Sequence, residues 1–140
     1  MSQERSVEER RAAQSPLANV SRRIVQLHKE YYGKGPTQAK TFYRGELVVV
    51  VLRGGFTKAE ETLREGGHPD AVIRQRSEFQ LVMRERFQQV VEQELGRSVL
   101  AFMSASHQHP DLMAEVFVLE PSESAPDESV VLEDFHPESD

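Results

Sequence analysis

The stretch that most constrains this chain is Leu47 to Leu52, which reads Leu-Val-Val-Val-Val-Leu. Four of the six residues are β-branched, which favours a pleated strand over a helix. Side chains alternate along a strand, so Leu47, Val49 and Val51 point one way and Val48, Val50 and Leu52 the other. A strand apolar on both sides sits inside a sheet covered on both faces. The run is far too short to span a bilayer, which needs about 20 apolar residues. It sets the expectation of a small α+β domain built round a central strand.

The flanking sequence supplies the other elements. Ser15-Pro16 reads as a helix start, Ser at the N-cap and Pro at the first position. Leu17, Val20, Ile24, Leu27 and Tyr31 recur at spacings of three and four, one stripe of an amphipathic helix. Gly33 ends it and Pro36 prevents resumption. Ala39 to Tyr43 is an expected strand, turned by Arg44-Gly45-Glu46 into the Val-rich strand as a hairpin. Thr57 and Glu60 have capping-box spacing, opening a short helix to about Glu65. A long helix follows from Pro69 to Leu95, with Val72, Ile73, Phe79, Val82, Met83, Phe87, Val90, Val91 and Leu95 as its apolar side. Ser98 to Ser106 and Leu112 to Leu119 read as a second hairpin. The order is α-β-β-α-α-β-β, which predicts a four-stranded antiparallel sheet with two long helices and one short one. Helix-Gly33-Lys34-hairpin is echoed by helix-Gly96-Arg97-hairpin, two α-β-β halves.

Charge separates body from tail. Residues 120–140 hold eight acids and no Lys or Arg, and the first 119 hold 17 bases and 15 acids, so the body is about +2. Pro, Ser and acids cannot build a core, so 121–140 is expected to be a disordered acidic tail. Residues 1–14 are expected to be a flexible charged arm, and 15–120 a single domain. The chain has no cysteine, which removes disulfides, thiol catalysis and Cys-ligated zinc and points to a cytoplasmic protein. No apolar run follows Met1, so no secretory signal and no direct membrane insertion are expected.

Candidate chemistry is sparse. His107, His109 and Asp111 alternate in a way that can converge on a metal, but Pro110 lies among them and polar turns are common, so no metal is expected. Tyr31 to Pro36 is Gly-rich and basic, yet lacks the phosphate-loop pattern and follows a helix instead of opening one. Arg53-Gly54-Gly55 is better placed, between a strand and a helix start. Arg74, Arg76, Arg84 and Arg86 are interleaved with Glu78 and Glu85, which reads as a solvated face, not a nucleic-acid surface. Glu60-Glu61 also reads as solvated surface. No nucleophile-elbow motif is present, and no cofactor is expected.

Five stretches taken together resemble a known family. They are Tyr31-Tyr32-Gly33-Lys34-Gly35-Pro36-Thr37, Leu47 to Leu52, Phe56-Thr57-Lys58-Ala59-Glu60-Glu61-Thr62-Leu63, Gly96-Arg97-Ser98-Val99 and Val116-Phe117-Val118-Leu119. The chain from about Leu17 to Leu119 resembles the small bacterial MpsC-like family, whose name refers to a sodium-translocating, membrane-potential-generating system. The resemblance implies an accessory protein beside a membrane ion or bicarbonate system, with a membrane-protein partner. It carries over no catalytic residue.

Two functional expectations result. The first is a non-enzymatic interaction module, homodimeric through an apolar sheet face drawn from Leu47, Val48, Val49, Val50, Val51, Phe102 and Phe117. The alternative is a small-molecule or anion site formed by Lys34, Gly35, Arg53, Gly54, Gly55, Arg74 and Arg76.

Overall fold

Helix α1 (Pro16–Tyr32) begins where Ser15 Oγ accepts the Ala18 N–H at 3.1 Å, and it stops at Gly33, whose φ of +94° no β-carbon favours. The structure is a computed structural model and describes residues 15–122. The expected charged arm lies outside the described residues, as does the acidic tail from 123 onward. Strands β1 (Gln38–Arg44) and β2 (Leu47–Arg53) form the first hairpin, and α2 (Lys58–Glu65) opens with the full capping box of Thr57 and Glu60. Helix α3 (Pro69–Leu95) is followed by β3 (Val99–His107) and β4 (Leu112–Leu119).

The four strands are antiparallel in the order β1-β2-β4-β3. Each α-β-β half places its first strand at an edge and its second in the centre. Helices α1 and α3 lie side by side on one face of the sheet, α1 over β1 and α3 over β3. The core fills the space between: Val20 and Ile24 of α1, Val48, Val50 and Leu52 of β2, Met83, Phe87, Val90 and Val91 of α3, and Met113, Phe117 and Leu119 of β4.

This layering corrects the expected interface. Val48, Val50 and Phe117 are completely buried beneath the helices, and Phe102 packs against that core. The first three are unavailable to a partner, and Phe102, partly buried, lies on the helix side and not on the expected interface. Leu47, Val49 and Val51 face the opposite side, which no helix among the described residues covers, joined there by Phe42, Ala101, Met103, Ala105, Val116 and Val118. The expectation that the strand is covered on both faces is therefore met on one side only.

Two helix stripes also differ from the sequence reading. In α1 the buried line ends at His28, while Tyr31 is 48% exposed. In α3 Val82 is 71% exposed, and the buried line runs Val72, Arg76, Gln80, Met83, Phe87, Val90, Val91. From Val72 to Val90 its spacings of four, four, three, four and three define a proper helical stripe, but Arg76 and Gln80 are polar members of it.

Candidate functional site

The buried Arg76 is the centre of the only extensive buried ion-pair network among the described residues. Its side chain is 3% exposed and that of Glu60 is 0% exposed. Arg76 Nε donates to Glu60 Oε2 at 2.9 Å, Nη2 to Oε1 at 3.2 Å, and Nη1 to Asp111 Oδ1 at 3.0 Å. The Glu60 carboxylate also accepts the Thr57 backbone N–H at 2.9 Å and the Tyr32 hydroxyl. Gln75 Nε2 donates to the Tyr32 oxygen at 3.1 Å. The Phe56 ring lies against two guanidiniums, Arg76 at 4.4 Å and Arg64 at 4.3 Å. One network thus joins α1, the start of α2, α3 and the β3–β4 turn.

The charge states follow from these contacts. Burial alone would raise the Glu60 pKa, but Arg76, Tyr32 and the Thr57 amide hold it below the usual carboxylate range. Burial and the neighbouring Glu60 push the Tyr32 phenol up to about 12. Burial works against the Arg76 cation, and Glu60 with Asp111 outweighs it, so Arg76 is held above its ordinary value. Glu60 and Arg76 are thus held ionised and paired with each other, Tyr32 is held neutral, and Asp111 Oδ2 is buried without a partner.

Beside Arg76 is a small cavity of about 10 Å³, lined in part by His28, Tyr32, Lys34, Gly54, Gly55 and Phe79. That is about the space of one water. His28 Nδ1 lies 2.9 Å from the Ile24 carbonyl, which can only accept, so Nδ1 carries the proton and Nε2 is a bare lone pair. Burial lowers the His28 pKa, and the Arg76 charge adds to the effect. His28 Nε2 has no partner. The cavity therefore offers a water an acceptor; it offers an anion a repelling lone pair and a guanidinium already committed to two carboxylates.

The predicted ligand residues divide accordingly. Lys34, Gly54, Gly55 and Arg76 meet at this cavity, and Gly35 abuts Gly55: a β-carbon on Gly55 would lie 3.5 Å from the Gly35 carbonyl carbon and 3.3 Å from Pro36 Cα. The glycines let two loops touch. Arg53 instead lies on the uncovered sheet face opposite Gln38, and Arg74 is exposed on α3. Reading Arg76 and Glu60 as solvated surface was wrong, because the stripe position of Arg76 and the first-turn position of Glu60 turn both inward.

The His107-His109-Asp111 turn is also accounted for by protein contacts. Asp111 pairs with Arg76, His109 Nδ1 lies 2.9 Å from Arg64 Nη2, and His107 Nδ1 lies 2.9 Å from the Pro110 carbonyl. Among the described residues no group of three or more His, Asp or Glu side chains is placed to hold a metal.

Sequence reasoning missed a second buried acid. Glu115 of β4 is completely buried, and Ser104 Oγ donates to it at 2.8 and 2.9 Å. The Gln80 amide nitrogen, in one orientation, donates to the two carboxyl oxygens at 3.0 and 2.7 Å; in the other it reaches Met113 Sδ at 3.7 Å and turns its oxygen to the carboxyl. Burial pushes Glu115 up to about 8, and Ser104 offsets only part of this. An ionised Glu115 accepts from Gln80 in the first orientation, and a protonated one can donate its hydrogen to Gln80 in the second. A signal was present: 113, 115, 117 and 119 share one side of the strand, and three of them are large apolar residues.

The fold and this site define a small helix-on-sheet domain with a buried ion-pair network and one sheet face left open by the described residues. Residues 14–121 match the family model described as Na+-translocating membrane potential-generating system (MpsC), and the chain belongs to that family. No curated protein and no solved structure matches it. Among the described residues no helix is long and apolar enough to cross a membrane.

Proposed function

We propose that this chain is a non-enzymatic accessory module that self-associates through its open sheet face and serves a membrane-protein partner from the cytoplasm. The observation that carries this reading is the face itself. Phe42, Leu47 and Met103 are 49%, 45% and 54% exposed, and Val49, Val51, Val116 and Val118 lie between them. Monomers seldom expose a contiguous apolar patch above a few hundred Å². Four strands about 4.8 Å apart and about 23 Å long give a flat footprint of about 440 Å² per copy. Standard interfaces bury about 800 Å² per partner, so the expected dimer is concentration-dependent, not obligate. Family membership supports the membrane association, and the mutual pairing of the buried Glu60 and Arg76 supports the absence of catalysis. The anion-site alternative has less support, because the cavity at Arg76 has room for about one water.

Sedimentation equilibrium over a range from micromolar to millimolar concentration tests the dimer. The expected mass rises across that range from the 15.9 kDa of one chain towards twice that value, and stays at a single chain in Val49→Asp. Val49 is the informative position, since Val50 lies in the core and its substitution would unfold the domain. A single-chain mass across the range, or a dimer indifferent to Val49→Asp, overturns the reading.

A further inference from the structure

The open face carries charge as well as apolar surface. Its outward strand positions include Lys40, Arg44 and Arg53 and no Asp or Glu. A shallow concavity of about 650 Å³ on this face is lined by Phe42 and Val51 with Lys40 and Arg53. Residues 123–140 have the opposite character: seven acids, no Lys or Arg, and one apolar cluster, Val130, Val131, Leu132 and Phe135, flanked by Glu128, Glu133 and Asp134. The chain enters this segment from the end of β4, where Val118 is paired with Leu47 of the open face.

We propose that residues 128–135 dock on the open sheet face of their own chain and compete there with a second copy. The apolar cluster covers Phe42, Val49 and Val51, and Glu133 and Asp134 meet Lys40 and Arg53. Eight residues separate Ser122 from Val130 and reach up to about 27 Å. The sheet is only about 19 Å wide at about 4.8 Å per strand. A short tether gives an effective concentration in the millimolar range, so the chain's own segment meets this face ahead of a micromolar partner. The docking stands apart from the dimer, whereas the competition rests on the dimer reading. With the segment docked about nine-tenths of the time, each copy is open about one-tenth of the time. Because both copies must be open, the apparent dissociation constant rises roughly 100-fold.

The chain has no native cysteine, so a nitroxide on Ser129→Cys in the full chain reports the contact. The expected result is broadening of the Phe42, Val49 and Val51 amide signals within the tagged ¹⁵N chain at low concentration. No broadening is expected when tagged unlabelled chain is mixed with untagged ¹⁵N chain. Val131→Ser/Leu132→Ser/Phe135→Ser, which keeps every acid, should abolish the effect and tighten self-association tenfold or more. Docking is overturned by no broadening, by broadening on the helical side, or by broadening only in the mixed sample. Broadening that survives the triple variant and vanishes in high salt overturns the apolar contact. A triple variant that dimerises no more tightly overturns the competition. A single-chain mass in all variants with broadening intact sinks the dimer reading and leaves docking standing, and a dimer without broadening does the reverse.

Discussion

Glu60→Gln is the sharpest perturbation of the buried network. The carboxylate accepts from Arg76 Nε at 2.9 Å, Arg76 Nη2 at 3.2 Å, the Thr57 amide at 2.9 Å and the Tyr32 hydroxyl. A carboxamide offers one acceptor oxygen in place of two and turns an N–H₂ towards groups that are themselves donors. It also leaves Arg76, 3% exposed, with Asp111 as its one remaining anionic partner. Breaking a buried pair from one side costs about 3–5 kcal/mol, a large part of the roughly 5–15 kcal/mol that holds a domain folded. Urea unfolding followed by far-UV circular dichroism measures it. With a slope of about 1–3 kcal/mol per molar urea, the midpoint should fall by roughly 2 M at neutral pH. A loss below about 1 kcal/mol would refute the argument, because it would mean that water already satisfies these groups in the folded chain.

Glu115→Gln tests the second buried acid. The folded pKa, about 8, exceeds the ordinary value of 4.5, so the folded chain keeps a proton that the unfolded chain releases. Stability should therefore drain as pH rises from about 4.5 to 8, by up to about 1.4 kcal/mol per unit, and the Gln variant should lose this slope and be the more stable at pH 8; matching urea midpoint profiles for the two chains would sink the assignment. His28→Phe acts on the acid side. The wild-type pKa is lowered by burial, so its contribution is present above the ordinary 6.5 and lost as pH falls through the lowered value; the variant should flatten that part of the stability profile and keep the ring stack on Phe87. Gly55→Ala should cost about 1–3 kcal/mol, read as a lower melting temperature, because φ is +104° and the new β-carbon would lie 3.3 Å from Pro36 backbone atoms.

The element order was legible because each boundary has a local cause: Pro16 and Gly33 for α1, the Thr57–Glu60 box for α2, Gly96 for the end of α3. The polar interior was harder to read because residue type and position disagree. Arg76 and Glu60 have the composition of surface residues, and only their phase on the helix turns them inward. The stripe through Val72, Arg76, Gln80 and Met83 was present in the spacing, but a search for apolar residues chose Val82 and Ile73 instead. The sheet faces were ambiguous for another reason. Leu47 to Leu52 is apolar on both sides, so alternation separates two faces without saying which one the helices cover. The hydrophobic effect has no direction of its own; the choice comes from both long helices packing on the same side.

The division of α3 into a polar and an apolar half has a consequence for how its position is fixed. Met83, Phe87, Val90 and Val91 hold the C-terminal half by burial, which tolerates sliding and repacking. Arg76, in the N-terminal half, meets Glu60 and Asp111 together only when the helix stands at one height and rotation relative to α2 and the β3–β4 turn. A shift of one residue turns the side chain by about 100° and breaks both pairs. Arg76→Met/Glu60→Leu/Asp111→Asn removes the three charges as a set, so it avoids the stranded ion of Glu60→Gln and should be clearly less destabilising, in line with measured replacements of buried ion pairs by apolar side chains. What it should lose is the single register. The expected result is a urea midpoint closer to wild type than that of Glu60→Gln, with amide signals of residues 69–80 broadened by exchange and those of 83–95 sharp. Uniformly sharp signals in this triple variant would show that packing alone sets the helix position.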